Sequence, residues 1–396
     1  MGFLTTRASL GSGGCEIPDH LAQYSTKPFV GSLSFYHFNM IVSGACTVVV
    51  LVVMFSLMAR HATHMSNPSE QLKIMRICNL IPSYQVLSYV SICVPNSYIY
   101  LKVFSEVMQG VALYAFLMLL CDYMAPTDDA KVKFFSSLEV KRQWQPKKKR
   151  NGLAFLNLTW YSVIQYPIIT WIAAVSQVVT QALHLYCLAS TSAKFSHVWL
   201  EVGTSLSTSV AINAILQFYM RMKEHMKEHR PFLKLVAFKL AVGLVLLEQI
   251  LFLILTKVGV LSKMTSLTYI DTMMGLPTMV ICIQMVPISF FVHYAYPTKP
   301  YEISYKPHVL RPQAYQPLGD ADEETLMNNT QKHYQGGRWG LHAWAVYLNP
   351  IDIVQDILSA HRMISRARAM QKAQVKEEMQ EEMAQYETGY DNRQGA

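Results

Sequence analysis

Charge is what this sequence has least of for its size. Asp, Glu, Lys and Arg make up 15% of its 396 residues, against about 25% in an ordinary soluble domain. A soluble multidomain enzyme and a disordered chain both need more charge than that. Paired cysteine spacing is missing as well. The seven cysteines, Cys15, Cys46, Cys78, Cys93, Cys121, Cys187 and Cys282, include no Cys-x-x-Cys and make an odd number. They read as small apolar residues, not as a zinc site or a disulfide frame. No Gly-Lys-Ser/Thr phosphate loop, Gly-x-Ser-x-Gly elbow or dinucleotide fingerprint occurs, so neither ATP-driven pumping nor enzyme chemistry has a visible carrier, and no cofactor is expected. His225 and His229 share a helical face in Met-Lys-Glu-His-Met-Lys-Glu-His, but two ligands do not hold a metal. Residues 1–30 lack a continuous apolar core, so no cleaved leader is expected.

What the chain does have is long uncharged runs. Hydrophobic types reach 52%, and seven stretches have the roughly 18 or more residues a bilayer-spanning helix needs. They run from Phe38 to Met58, Ile77 to Pro95, Phe104 to Cys121, Phe155 to Val179, Val198 to Met220, Phe232 to Leu255 and Thr272 to Ala295. All are expected to be helices, because an open strand edge leaves its backbone polar groups unsatisfied in lipid. The fourth lies in an uncharged run from Asn151 to Ala193 that could hold two helices; without a Gly/Pro/Asn hairpin it is read as one. Basic residues alternate around this count. Sixteen follow the first, third and fifth spans, among them Lys73, Arg76, Lys131 and Lys234, and six face the other side, Lys102 among them. The positive-inside rule then puts the N-terminus outside and the C-terminus in the cytosol. The expectation is an all-α polytopic membrane protein: an extracytoplasmic segment over 1–37, seven helices over 38–296 and a cytosolic tail over 297–396. The formal charge of +8 is thereby a topology signal, and no nucleic-acid partner is expected. The bilayer, plasma membrane or endomembrane/vacuole, is the first partner.

Ionisable groups inside spans cost about 2.5 to 3.5 kcal/mol each on insertion scales, so each needs a reason. Lys239 lies about two turns into the sixth span, with Glu248 and Gln249 further on. Nine residues at 100° put Glu248 opposite Lys239, so the two cannot pair within the helix. Glu106 and Gln109 share a face of the third span, and Gln284 adds a hydrogen-bonding group in the seventh. These six are the candidate binding residues, with Asp122 and Arg76 at the cytosolic mouth. Asn and Gln in spans also glue helices together. In the tail, Asn349-Pro350-Ile-Asp352 is a helix start. Ile353, Val354, Ile357, Ile364 and Ala367 form a stripe over about 350–370, flanked by Arg362, Arg366 and Arg368. An interfacial helix anchored by Trp339 and Trp344 and a soluble partner-binding helix both fit. Acidic residues 377–391 are expected to be disordered.

Four segments carry a family resemblance. Arg76-Ile-Cys-Asn-Leu-Ile-Pro82-Ser-Tyr84, Pro231-Phe-Leu-Lys234-Leu-Val-Ala-Phe-Lys239 with Gln249, Ile281-Cys-Ile-Gln284-Met285 and Pro297-Thr-Lys-Pro-Tyr301 resemble blocks of the organic solute transporter alpha / transmembrane protein 184 family, also called DUF300. The likeness covers about Phe38 to Tyr301, and Pro297 to Tyr301 looks like its plant and fungal branch. The resemblance implies ATP-independent movement of amphipathic organic solutes, sterol-, lipid- or bile-acid-like anions, with Lys239 as the contact for an anionic head. It also leaves room for a second copy or a single-span partner subunit. Two family carboxylates are absent: the Tyr-Glu pair of the third span stands here as Met108-Gln109, and the Glu of the seventh as Gln284. The rival reading is a seven-helix scaffold or trafficking protein acting through its tail. A rhodopsin-type receptor is disfavoured, since Cys121-Asp122-Tyr123 lacks the Arg and the seventh span lacks Asn-Pro.

Overall fold

The computed structural model describes residues 27–141, 149–187, 192–227, 230–258, 267–268, 270–302 and 334–394. The fold is all-α. A short ribbon, β1 (Pro28–Val30) and β2 (Leu33–Ser34), leads into α1 (Phe35–Thr63), followed by α2 (Pro68–Cys78), α3 (Leu80–Cys93), α4 (Tyr98–Asp122) and α5 (Asp128–Ser136). A second ribbon pairs β3 (Glu139–Lys141) antiparallel with β4 (Lys149–Asn151). Then come α6 (Gly152–Ala182), α7 (Ser196–Met222), α8 (Pro231–Val258), α9 (Leu276–Ala295), α10 (Leu341–Leu348) and α11 (Pro350–Gln394).

Helix starts follow the local chemistry. Asn67 caps α2: its side chain accepts from the Glu70 amide and donates to the Glu70 carboxylate at 2.8 Å, with Pro68 in the first turn. Thr127 caps α5 ahead of Asp128 and Asp129, acids that suit the positive end of a helix. Asn349 opens α11 as its sequence suggests, accepting from the Ile351 amide at 3.1 Å.

Among the described residues, five helices are long and apolar enough to cross a membrane: Phe35–Thr63, Pro95–Asp122, Gly152–Ala182, Pro231–Phe252 and Leu276–Tyr301. They correspond to the expected first, third, fourth, sixth and seventh spans, and the fourth is one helix. The other two fall short for different reasons. The second is divided: α2 and α3 meet at Asn79, and α3 has only 14 residues. The fifth, α7, has 27 residues but carries His197, Glu201 and a run of Ser and Thr that dilute its apolarity. Exposed apolar residues gather on the long helices, for instance Ile41, Val48, Val52 and Phe55 on α1 and Trp171, Ile172, Val175 and Val179 on α6. An apolar coat of this kind is what a helix needs against lipid.

The chain divides into two compact units, one of 1–116, 167–207 and 232–348, the other of 117–166, 208–231 and 349–396. In the first, α1, α3 and α9 pack on one another through Met54, Leu57, Met58, Leu80 and Met285. A polar seam runs along α1: Asn39 donates to the Gly275 carbonyl at 2.8 Å, Ser43 to Asn39 at 2.8 Å and Thr47 to the Ser43 carbonyl at 2.7 Å. Every step is neutral and its side chains are buried, so the seam holds helices together without exposing charge. Gly110 on α4 marks a close approach to α6, since a Cβ there would stand 3.0 Å from the Pro167 Cα. In the second unit, α5 packs against α11, Phe155 stacks on Phe218 and the Arg221 guanidinium lies 4.9 Å from the Phe155 ring.

Two expectations are corrected. Cys187 is disulfide-bonded, while Cys46, Cys78, Cys93, Cys121 and Cys282 are free; Cys15 lies outside the described residues. An odd count without paired spacing hid that bond. The acidic segment 377–391 is helical, part of the 45 residues of α11, because its Glu, Met, Gln and Ala are all strong helix formers.

Candidate functional site

The first unit contains a cavity of about 80 Å³ lined by α3, α4, α8 and α9. At roughly 10–15 Å³ per water it holds a few waters. Helical spacing explains how it is assembled. On α4, Lys102, Glu106 and Gln109 stand at i, i+4 and i+7, and on α3, Tyr84, Ser88 and Ser91 repeat that spacing; each set therefore occupies one helical face. Glu248 comes from α8 and Thr278 from α9, beside Pro277 and Ile281.

The polar atoms are only partly satisfied within this wall. The Tyr84 hydroxyl donates to Gln109. Lys102 forms an ion pair with Glu201 of α7, whose carboxylate also lies 3.8 Å from His197. Glu106 faces the cavity one turn beyond Lys102. Glu248 is 6% exposed; one carboxylate oxygen, Oε2, accepts from Gln284 at 2.8 Å. The other, Oε1, has no hydrogen-bond partner among the described residues. Beside the ion pair, in the connection from α6 to α7, burial pushes the Tyr186 hydroxyl above the usual phenol range, against the opposing pull of Lys102.

The sequence-stated candidates are therefore partly gathered. Glu106, Gln109 and Glu248 line one cavity, and Gln284 braces Glu248. Lys239 is exposed on α8 and does not line it. The opposite-face argument explains this, since Glu248 is buried while Lys239 is not. The Gln249 side chain lies outside the described residues. Arg76 is buried in α2, near Tyr347 of α10, whose hydroxyl is pushed upward by burial and only partly restrained by Arg76. Asp122 belongs to the second unit, where it pairs with Lys131 at 2.8 Å.

Lys102, Tyr84 and Glu201 are the residues that sequence reasoning missed. Starting the helix near Phe104 left Lys102 in a loop, whereas α4 begins at Tyr98. The i, i+4, i+7 spacing of Lys102, Glu106 and Gln109 was the signal that could have found it.

A family model described as "Organic solute transporter Ostalpha" matches residues 39–301. The chain is also similar to Protein LAZ1 of Arabidopsis thaliana, 23% identical over 281 residues, which cover 65% of this chain. That match spans 57% of the relative's length and supports the plant-type branch. No solved structure matches the chain. With two thirds of its length inside the family model and several apolar helices built to span a bilayer, the chain is an integral membrane protein that belongs to the organic solute transporter Ostalpha family.

Proposed function

We propose that the chain is a seven-span, ATP-independent transporter of amphipathic organic solutes, sterol- or lipid-like in their apolar part. The observation that carries the reading is the cavity: three ionisable groups, Lys102, Glu106 and Glu248, converge inside helices whose outer faces are apolar. Such groups are expensive in lipid, and helix glue needs no cavity. Membership of the family supports the same reading. At about 80 Å³ the cavity is far below the roughly 300 Å³ of a small-molecule site, so opening is part of the transport cycle.

Two further helices complete the count. The α2–α3 pair continues through Asn79, and α7 exposes Trp199, Val202, Leu206 and Val210 as a lipid-facing stripe. The N-terminus lies outside and the tail in the cytosol. Basic-residue alternation supports this orientation, and so does the disulfide at Cys187. Disulfides persist in oxidising compartments, and Cys187 follows the fourth span, on the side assigned to the N-terminus.

The lining sets the polar head of the solute. Its lysine is already held by Glu201, against two lining carboxylates. A neutral or cationic head fits this wall better than a bile-acid-like anion, for which exposed Lys239 offers no contact at the cavity. The test is uptake into nucleotide-free proteoliposomes of three probes sharing one steroid nucleus: a sulfate, a neutral sterol and a quaternary-ammonium derivative. Saturable uptake of the neutral and cationic probes, faster than of the sulfate, is expected. Uptake of none above empty vesicles sinks the transport reading and favours the scaffold, which would instead lose its cellular role when residues 338–396 are removed.

A further inference from the structure

The two cavity carboxylates stand in different surroundings. Glu106 has Lys102 one turn away on the same helical face. Glu248 has no such neighbour on its own helix, because Lys239 occupies the opposite, exposed face. The groups facing Glu248 can be named helix by helix. From α3 comes the Tyr84 hydroxyl, engaged with Gln109. From α4 come Tyr98, Glu106 and Lys102, the last paired with Glu201 of α7. From α9 come the buried thiol of Cys282 and the Gln284 amide, and the amide alone bonds to the carboxylate. Glu248 is thus a carboxyl with more than nine-tenths of its surface buried, lining the cavity, with one oxygen held by an amide donor and the other buried with no partner among the described residues.

We propose that Glu248 is a proton-binding site, its carboxyl taking up one proton when the cavity is closed and releasing it when the cavity opens. The reading rests on the transport cycle proposed above and adds its coupling ion. In the closed state the proton resides on Oε1, which otherwise stays a bare, buried anionic oxygen away from bulk water. Oε2 keeps the hydrogen bond from Gln284 in either form. On opening, the O–H bond breaks, the electron pair stays with the carboxylate and the proton leaves to cavity water. A solute with a cationic or hydrogen-bond-donating head then meets a carboxylate, and its arrival exchanges for the proton. Gln284 supplies a fixed donor without a charge of its own; a second carboxylate there would compete for the same proton.

The experiment needs no solute, so its outcome stands apart from the uptake assay. Infrared difference spectra of the full chain in proteoliposomes, stepped from alkaline to acid pH, report the carbonyl stretch of a protonated carboxyl. Among the carboxyl bands that titrate, one is expected to be lost in Glu248→Gln and kept in Glu106→Gln. In Gln284→Leu the band should persist at a shifted frequency, since its carbonyl loses a hydrogen bond; this variant keeps the test open if Glu248→Gln misfolds. A set of titrating bands unchanged by Glu248→Gln, or a Glu248 band that ignores Gln284→Leu, overturns the proposal. So does a band abolished by sodium at constant pH, which would make the ligand a metal cation.

Discussion

Lys102 and Lys131 look alike in sequence, both flanking charges near the ends of apolar runs, yet they occupy opposite kinds of site. Lys131 is sealed: its side chain is 4% exposed, it lies 2.8 Å from Asp122 and 3.1 Å from Asp128, and the Asp122 side chain is 2% exposed. Lys102 pairs with Glu201 at 17% and 30% exposure, beside water-sized space and a second carboxylate, Glu106. The first pair is closed in geometry and charge. The second is open in both, and openness is what lets a charged group exchange partners.

Removing each lysine should separate the two roles. Lys131→Met should cost about 3–5 kcal/mol, because it removes the cation 2.8 Å from the buried Asp122 carboxylate, and the double variant with Asp122→Leu should recover most of that loss. Denaturation in detergent checks both, and uptake per folded molecule should hold. Lys102→Met should do the reverse. Its partly exposed pair is worth roughly 1 kcal/mol or less of stability, but uptake should fall at least about tenfold, equivalent to roughly 1.4 kcal/mol at the barrier. Equal losses of stability and uptake in both variants would erase the distinction.

A smaller effect concerns pH. Burial alone would lower the Lys131 pKa, but Asp122 and then Asp128 hold it above the ordinary lysine value of 10.5. A base raised in the folded state contributes stability below its unfolded pKa and loses it as pH rises through the folded one. The stability gap between the wild type and Lys131→Met should therefore be flat from about pH 6 to about pH 9 and close only above about pH 10.5. The smallest expectation is for Lys239→Ala: with its side chain exposed on α8, uptake should stay unchanged. A large loss there would return the solute contact to the opposite face of that helix.

Five apolar helices were legible because a run of apolar residues states its own physics. The divided second span was not, since hydropathy reads through Asn79 without seeing that α2 is polar on one side and ends there. Glu106 and Gln109 could be placed on one face by counting residues, and so could the separation of Lys239 from Glu248. Pairings between helices could not. Nothing in sequence spacing joins Gln284 to Glu248 or Lys102 to Glu201, whose positions differ by 36 and 99 residues. The neutral seam of Asn39, Ser43 and Thr47 drew no notice because its i, i+4, i+8 spacing lies among apolar neighbours.

Helix length carries a consequence of its own. At 1.5 Å per residue, the 29 residues of α1 and the 31 of α6 extend about 44 and 46 Å, well beyond the roughly 30 Å of a typical hydrocarbon core. These long helices must lean, or carry their ends into the headgroups, to match it. Bilayer thickness thereby becomes a variable the protein senses. Reconstituted in lipids of increasing acyl length, it should have an optimum, and that optimum would favour some cellular membranes over others.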